Sequence, residues 1–473
     1  MLKINFMLSK NNKNIFLIYI SIIFIGLILR LYNLNFENYW LDELIDFWVA
    51  DPNISHNDLL LRRELIDDQT PFLFQLLLKG YFELFGYNPE IGRQLPLIFG
   101  VLSIPFFGIL SLQVSKNNSF LLSVLLISIN IYLIKYSQET RVYSLVFLLS
   151  TINLILYNKI TTINLLNYNK IYYLILFIFI SIISLTAHPF TFILLFSQIA
   201  HYFYSFFIFK KRNYLFIFSI PIILAIYLII NYNYLLSQLG YSEYFLSNEN
   251  WKFYYNYYFS RFFGSKIMGS IYLFTLIFLI IRFRKKILFT QNNYLLLIFL
   301  LFFSYLIPLM YGLIKVPVLT DRYIIFVLIP IIIIISSLIF EIFNPKLKFF
   351  LIILIVTSTL INNYIEIQYR KNTKPEFTKL LTNIEKHEIK KLTLFAPESI
   401  SNVIKNYLLS LKNINKNNLK IFDIDDIPAD VKSLWVICYE PVVGYDCSLK
   451  KDWTLKETKR FYLLKAQLYN ISN

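Results

Sequence analysis

Long apolar runs recur through the first 365 residues, and they constrain this chain more than any other feature. They lie near 15–34, 94–113, 119–134, 142–157, 171–187, 190–209, 214–232, 267–283, 294–313, 323–342 and 347–365. A helix of about 20 apolar residues crosses a 30 Å hydrocarbon core. The runs are continuous rather than alternating, which excludes a membrane β-barrel. About eleven spans are expected, give or take two, with a further run at 71–86 ambiguous between a span and a helix on the membrane surface.

Composition agrees. Hydrophobic residues make up 57% of the 473, charged ones 16%, and the mean hydropathy is +0.56; a soluble domain carries about 25% charged residues. A disordered chain, a nucleic-acid-binding tail and an ordinary cytosolic enzyme are excluded. The net charge of +16 reads as basic cytoplasmic loops, and no nucleic-acid partner is expected. Lys116; Lys159 and Lys170; Lys210, Lys211 and Arg212; Arg282, Arg284, Lys285 and Lys286; and Lys346 and Lys348 occupy every second loop. Lys and Arg concentrate on the cytoplasmic side. The chain therefore reads as a multi-pass protein of the cell (inner) membrane with its N-terminus inside. Segments 35–93, 135–141, 188–189, 233–266, 314–322 and everything after 366 then lie outside. No cleavable signal peptide is expected, because the apolar run after residues 1–14 is long and lacks a small-residue cleavage site.

The expected fold is an α-helical polytopic membrane protein over residues 1–365, with a long first outer loop at 35–93. A small α/β extracytoplasmic domain follows over 366–473, where charge rises and apolar runs shorten. Leu392–Ala396, Leu419–Ile424 and Ser433–Tyr439 read as strands, 375–386 and 398–411 as helices, and a last strand or pair runs through Phe461–Tyr469. Cys438 and Cys447 are the only cysteines. On the outer side they are expected to pair as a disulfide across the turn at Pro441–Gly444, with two unpaired thiols as the alternative. There is no Walker motif and no GxGxxG, so no ATP site is expected.

Five polar constellations fall on the outer side. Tyr39-Trp40-Leu41-Asp42-Glu43 puts two carboxylates behind an interfacial Trp; it reads either as an aromatic belt before a solvated helix start or as a general base, Asp42. In Ser137-Gln138-Glu139-Thr140-Arg141-Val142-Tyr143, Arg141 sits at the bilayer boundary, where an ionisable group is a functional candidate by default; the alternative is an Arg snorkelling beside Glu139. Thr320-Asp321-Arg322-Tyr323 pairs a carboxylate with an Arg at a helix mouth. Ala187-His188-Pro189-Phe190 holds a lone His, more often structural than a ligand. Asp67-Asp68-Gln69-Thr70-Pro71-Phe72 could hold a divalent cation or the acceptor, or form a solvated turn; a divalent metal is the one cofactor left open, and none is assigned.

Taken in order, Trp-x-Asp-Glu, Asp-x-x-Pro, Arg93 before Leu95-Pro96, Ser-Gln-Glu-x-Arg-x-Tyr, His-Pro-Phe and Arg-Tyr resemble the GT-C membrane glycosyltransferases. The branch is the bacterial one related to protein mannosyltransferases and the lipid A aminoarabinose transferase. The resemblance covers residues 15–365, and Tyr136–Tyr143 is its most specific piece. It implies a polyprenyl-phosphate sugar donor lying among membrane lipids, a hydroxyl acceptor on lipid, glycan or protein, transfer on the extracytoplasmic side with inversion, and Asp42 as the catalytic carboxylate. Relatives often carry His-Pro-Pro where this chain has Thr70-Pro71-Phe72, which weakens a metal or acceptor role there. On the chemistry of the fork-shaped guanidinium, Arg141 and Arg322 are the candidates for the donor phosphate. Glu43, Asp68, Gln138, Glu139, His188 and Tyr323 are expected to orient sugar or acceptor. A transporter or flippase of lipid-linked sugars is the main alternative; it calls for polar residues at mid-span, whereas the interiors read as almost purely apolar. A scaffold whose outer domain binds a partner would leave Asp42 and Arg141 without a purpose.

Overall fold

A computed structural model describes residues 13–471 except 67–70, 116–118, 163–167, 210–213, 233, 234, 236–258, 286–291, 315–317, 412–419, 425 and 444–452. The expected architecture is present, a multi-pass helical membrane protein carrying a small sheet near its C-terminus. α1 (Lys13–Leu31) leads to three shorter helices, α2 (Leu41–Val49), α3 (His56–Leu65) and α4 (Leu73–Phe85). The single turn α5 (Pro89–Gly92) enters α6 (Gln94–Val114). Then come α7 (Ser119–Ser128), α8 (Ile131–Ser137), α9 (Tyr143–Thr162), α10 (Tyr168–Ala187), α11 (Phe192–Phe209) and α12 (Tyr214–Ile230). α13 (Lys266–Arg282), α14 (Asn292–Ile314), α15 (Leu328–Phe340) and α16 (Pro345–Gln368) complete the bundle.

Every apolar run read from the sequence is helical. Among the described residues seven helices are long and apolar enough to span, or eight if α7 and α8 form one span bent by 52°. The bend has a local cause. The Asn130 side chain caps α8, accepting from Leu133 N at 2.9 Å, and donates to the Phe262 carbonyl at 2.9 Å. The ambiguous run at 71–86 is α4. Phe74, Gln75, Leu78 and Phe82 pack inward on one face while Leu77, Leu84 and Phe85 stay exposed, the pattern of a helix lying in the membrane interface.

The span interiors are less purely apolar than the sequence reading holds. Gln198 donates to Asn153 at 2.6 Å, Asn153 donates to Ser181 at 2.8 Å, and Tyr157 bonds His201 at 2.7 Å. These are buried bonds between helices, the kind that holds bundles together.

Close packing of α6 on α8 sets up the loop that follows α8. A Cβ on Gly100 would lie 2.0 Å from Ser137 Oγ and 2.7 Å from Ser137 Cβ. Ser137 also accepts from Arg30 Nε at 3.2 Å. Gly100→Val is therefore expected to lower the thermal unfolding temperature in detergent, an overpacking cost of about 1–3 kcal/mol.

After α16 come α17 (Phe377–Glu385), β1 (Lys391–Phe395), α18 (Glu398–Ser410), β2 (Lys420–Phe422), β3 (Ser433–Tyr439), the turn α19 (Glu440–Val443), β4 (Thr454–Phe461) and β5 (Leu464–Asn470). The sheet order is β2-β1-β3-β5-β4, parallel among the first three strands and antiparallel at β3–β5 and β5–β4. The final hairpin begins at Thr454, earlier than the sequence reading placed it. Its first strand, Thr-Leu-Lys-Glu-Thr-Lys-Arg-Phe, is a charged, mostly exposed edge. Charge protects such an edge from pairing with other chains and hides the apolar alternation that marks a strand. One hydrophobic cluster joins Phe47 of α2 and Phe82 of α4 to Phe377, Tyr407 and Trp435. The sheet unit is thus packed onto α2–α4. Cys438 is disulfide-bonded; Cys447, the chain's other cysteine, lies outside the described residues.

Candidate active site

α2 starts directly after Trp40 and carries Asp42 and Glu43 in its first turn, where carboxylates favour the helix dipole. Two distant segments meet it there. Arg322, which opens the 3-10 turn Arg322–Val327 ahead of α15, donates from Nη1 to Asp42 Oδ2 at 3.0 Å. Arg141, from the loop between α8 and α9, brings Nη2 to 3.6 Å from the same oxygen. Its Nη1 donates to the Asp42 carbonyl at 2.9 Å and to Asp46 Oδ2 at 2.7 Å. The Asp42 and Arg322 side chains are each 26% exposed, that of Arg141 only 7%. Aromatic rings wall the site, with the Arg322 guanidinium 5.1 Å from the Trp40 ring, 5.8 Å from Tyr143 and 5.7 Å from Tyr323.

His188 and Tyr323 belong to the same cluster, their rings 4.8 Å apart. His188 Nδ1 accepts from Phe190 N at 3.3 Å, capping the turn at Pro189–Thr191. Burial pushes its pKa down to about 3, and the charges of Arg141 and Arg322 add to the effect. A neutral ring is thus the folded form. Its contribution to stability is full above pH 6.5, the ordinary value, and drains away as pH falls toward 3. His188→Gln is expected to lose less thermal stability than the parent between pH 7 and pH 5, as melting curves at the two values would show.

Three residues expected to orient substrate are buried and make contacts within the protein. Glu43 is fully buried, accepting from Thr140 N at 2.8 Å and from Lys374 Nζ at 2.6 Å, with Arg93 Nε at 3.9 Å. Glu139 pairs with the same lysine at 3.3 Å. Burial opposes its ionisation, but Lys374, then Lys135 and Arg322, outweigh that and hold the carboxyl below its usual range. Gln138 donates to the carbonyls of Arg30 and Tyr32 and accepts from Arg370 at 3.0 Å. All three are buried and fasten the loop to α1, α2 and the segment after α16. Asp68 lies outside the described residues.

Sequence reasoning missed several members. Asp46 sits one helical turn after Asp42, a spacing that shares a face, and could have been read as a partner. It accepts from Arg141 and, at 2.9 Å, from Gln75. Lys374 and Tyr439 carry no signal of their own, since both reach the site from the sheet unit. Tyr439, at the end of β3, lies against Leu41 and Asp42, and burial pushes its hydroxyl up to about 12. Among the described residues no group of three or more His, Cys, Asp or Glu could hold a metal ion.

A bundle of apolar helices carrying a small sheet unit near the C-terminus is the fold that this chain shares with solved GT-C membrane glycosyltransferases. Solved structures with this fold include ArnT from Cupriavidus metallidurans in the apo state, with a TM-score of 0.61 over 97% of this chain and 98% of that one at 7% identity. The same enzyme bound to undecaprenyl phosphate matches with a TM-score of 0.56 over 95% and 97% at 7% identity. The Archaeoglobus fulgidus oligosaccharyltransferase in its apo form matches with a TM-score of 0.55 over 83% of this chain at 11% identity, and the chain spans 63% of its length. No protein-family model and no curated protein matches the sequence.

Proposed function

We propose that this chain is a membrane glycosyltransferase that moves a sugar from a polyprenyl-phosphate donor to a hydroxyl acceptor, with inversion. The acceptor hydroxyl is on a lipid, glycan or protein, and transfer takes place on the extracytoplasmic face of the inner membrane. One observation carries the reading: a carboxylate on α2 lies 3.0 Å and 3.6 Å from guanidiniums supplied by two other segments at one rim of the bundle. The fold shared with an enzyme solved with undecaprenyl phosphate supports the donor class.

Asp42 is the general base. The acceptor oxygen attacks the anomeric carbon, its proton passes to an Asp42 carboxylate oxygen, and the bond from carbon to phosphate oxygen breaks with its electron pair leaving on the phosphate. That leaving group is a weak base and needs charge stabilisation more than acid help. Arg322 and Arg141 supply it. The donor phosphate competes with Asp42 for the Arg322 fork, so donor binding frees the carboxylate to act as base. The Trp40 indole N–H, buried and without a hydrogen-bond partner among the described residues, is a further donor for sugar or phosphate. His188 and Tyr323 form the wall against which the sugar is held.

A flippase would need polar groups through the bilayer centre. The carboxylate and the two guanidiniums that meet it sit together at one rim instead, and the polar side chains inside the spans bond one another. The direct test uses purified protein with a polyprenyl-phosphate sugar and mass spectrometry for released polyprenyl phosphate. No release with any of a panel of sugars and hydroxyl acceptors would end the proposal.

A further inference from the structure

We infer that Lys374 is a positioning residue: by pairing at once with Glu43 and Glu139 it clamps the helical turn that carries Asp42 to the loop that carries Arg141. The inference rests on the transfer reading above and extends the working site into the sheet unit.

After α16 the chain is fastened by Glu37. Arg370 Nη2 lies 3.1 Å from Glu37 Oε2, and Thr373 donates to Oε1 through its backbone N–H at 2.6 Å and its hydroxyl at 2.8 Å. Lys374 is thereby delivered, 6% exposed at the side chain, between two buried carboxylates at 2.6 Å and 3.3 Å. Glu43 adjoins Asp42, and Glu139 stands two residues before Arg141. The other Glu43 oxygen accepts from Thr140 N, so one ammonium and one carboxylate bridge three segments. The cluster of Glu43, Glu139, Lys374 and Arg93 is neutral.

Without Lys374, one buried carboxylate loses its counter-charge, a strongly unfavourable state. Glu139 then draws on the remaining cations that act on it, Lys135 and Arg322, and Arg322 is the group that donates to Asp42. A misplacement of about 1 Å at a reacting centre costs on the order of 10²-fold in rate. Lys374→Met should therefore lower kcat by about that factor while the donor KM moves little. Lys374→Met combined with Glu139→Gln removes the stray charge but not the missing bridge, so it should regain thermal stability while kcat stays well below the parent's, a split that a purely charge-balancing role for the lysine would not give.

Hydrogen exchange read by mass spectrometry on the full chain in detergent supplies a readout that needs no turnover. Lys374→Met should speed exchange at residues 41–46 and 137–142 and leave the β1 and β3 amides protected. Exchange rising uniformly through the chain, a single variant with kcat within about twofold of the parent, or a double variant restored to the parent's kcat would each overturn the clamp. Should the parent itself transfer no sugar, the functional reading fails, while the exchange pattern still decides whether Lys374 holds these two segments together.

Discussion

Replacing Asp42 by asparagine is expected to reduce sugar transfer by about 10²–10⁴-fold, the usual effect of removing a positioned base, while donor binding persists. The substitution is nearly isosteric. An asparagine oxygen can still accept from Arg322, which in the parent donates to Oδ2 at 3.0 Å, so the pocket keeps its shape and loses only the proton acceptor. Released polyprenyl phosphate measured over time, with donor affinity measured separately, separates the two effects. Near-normal turnover by the variant would remove Asp42 from the mechanism. Asp46→Asn is the matched control. Asp46 lies one turn further along α2 and is buried against Arg141 and Gln75. It holds a guanidinium rather than facing substrate, so its loss should lower thermal stability and reduce rate much less than the loss of Asp42.

The bundle was legible because a bilayer imposes a length and a composition that few other environments require. The apolar runs therefore located the helices without any knowledge of how they pack. The meeting of Asp42, Arg141 and Arg322 was legible for a related reason: an ionisable group at the edge of an apolar span is a functional candidate by default, and alternating basic loops assigned all three to one side. Their neighbours were harder to sort. Glu43 and Asp42 are adjacent and chemically alike, and only the helical rotation between them sends one into a buried pairing with Lys374 and leaves the other partly open. Gln138 and Glu139 stand in the same motif as Arg141 yet point into the protein. Lys374 was invisible because its partners lie more than 230 residues upstream and nothing local to it records a buried charge. The edge strand β4 escaped for the opposite reason, since its charged residues serve to keep other strands away.

The second large effect is expected at Arg322. With the 26% exposed guanidinium that meets Asp42, it is the group best placed to turn toward an incoming phosphate. Arg322→Gln should lower kcat/KM for the donor by about 10²–10³-fold, the scale seen when one donor is removed from a developing oxyanion, with a rise in donor KM as well as a fall in kcat. Arg322→Lys should recover part of this, because an ammonium keeps the charge but not the fork. Arg141→Gln should depress transfer too, but with a marked drop in thermal stability. Arg141 is the buried partner of Asp46 at 2.7 Å, and stripping one member from a buried ion pair costs about 3–5 kcal/mol. Kinetics and melting curves on the same preparations would separate the two arginines. If Arg322→Gln shifted only the melting temperature and left kcat/KM for the donor intact, the phosphate would have to be held elsewhere, and Asp42 would be left with a partner that steadies it but takes no part in the reaction.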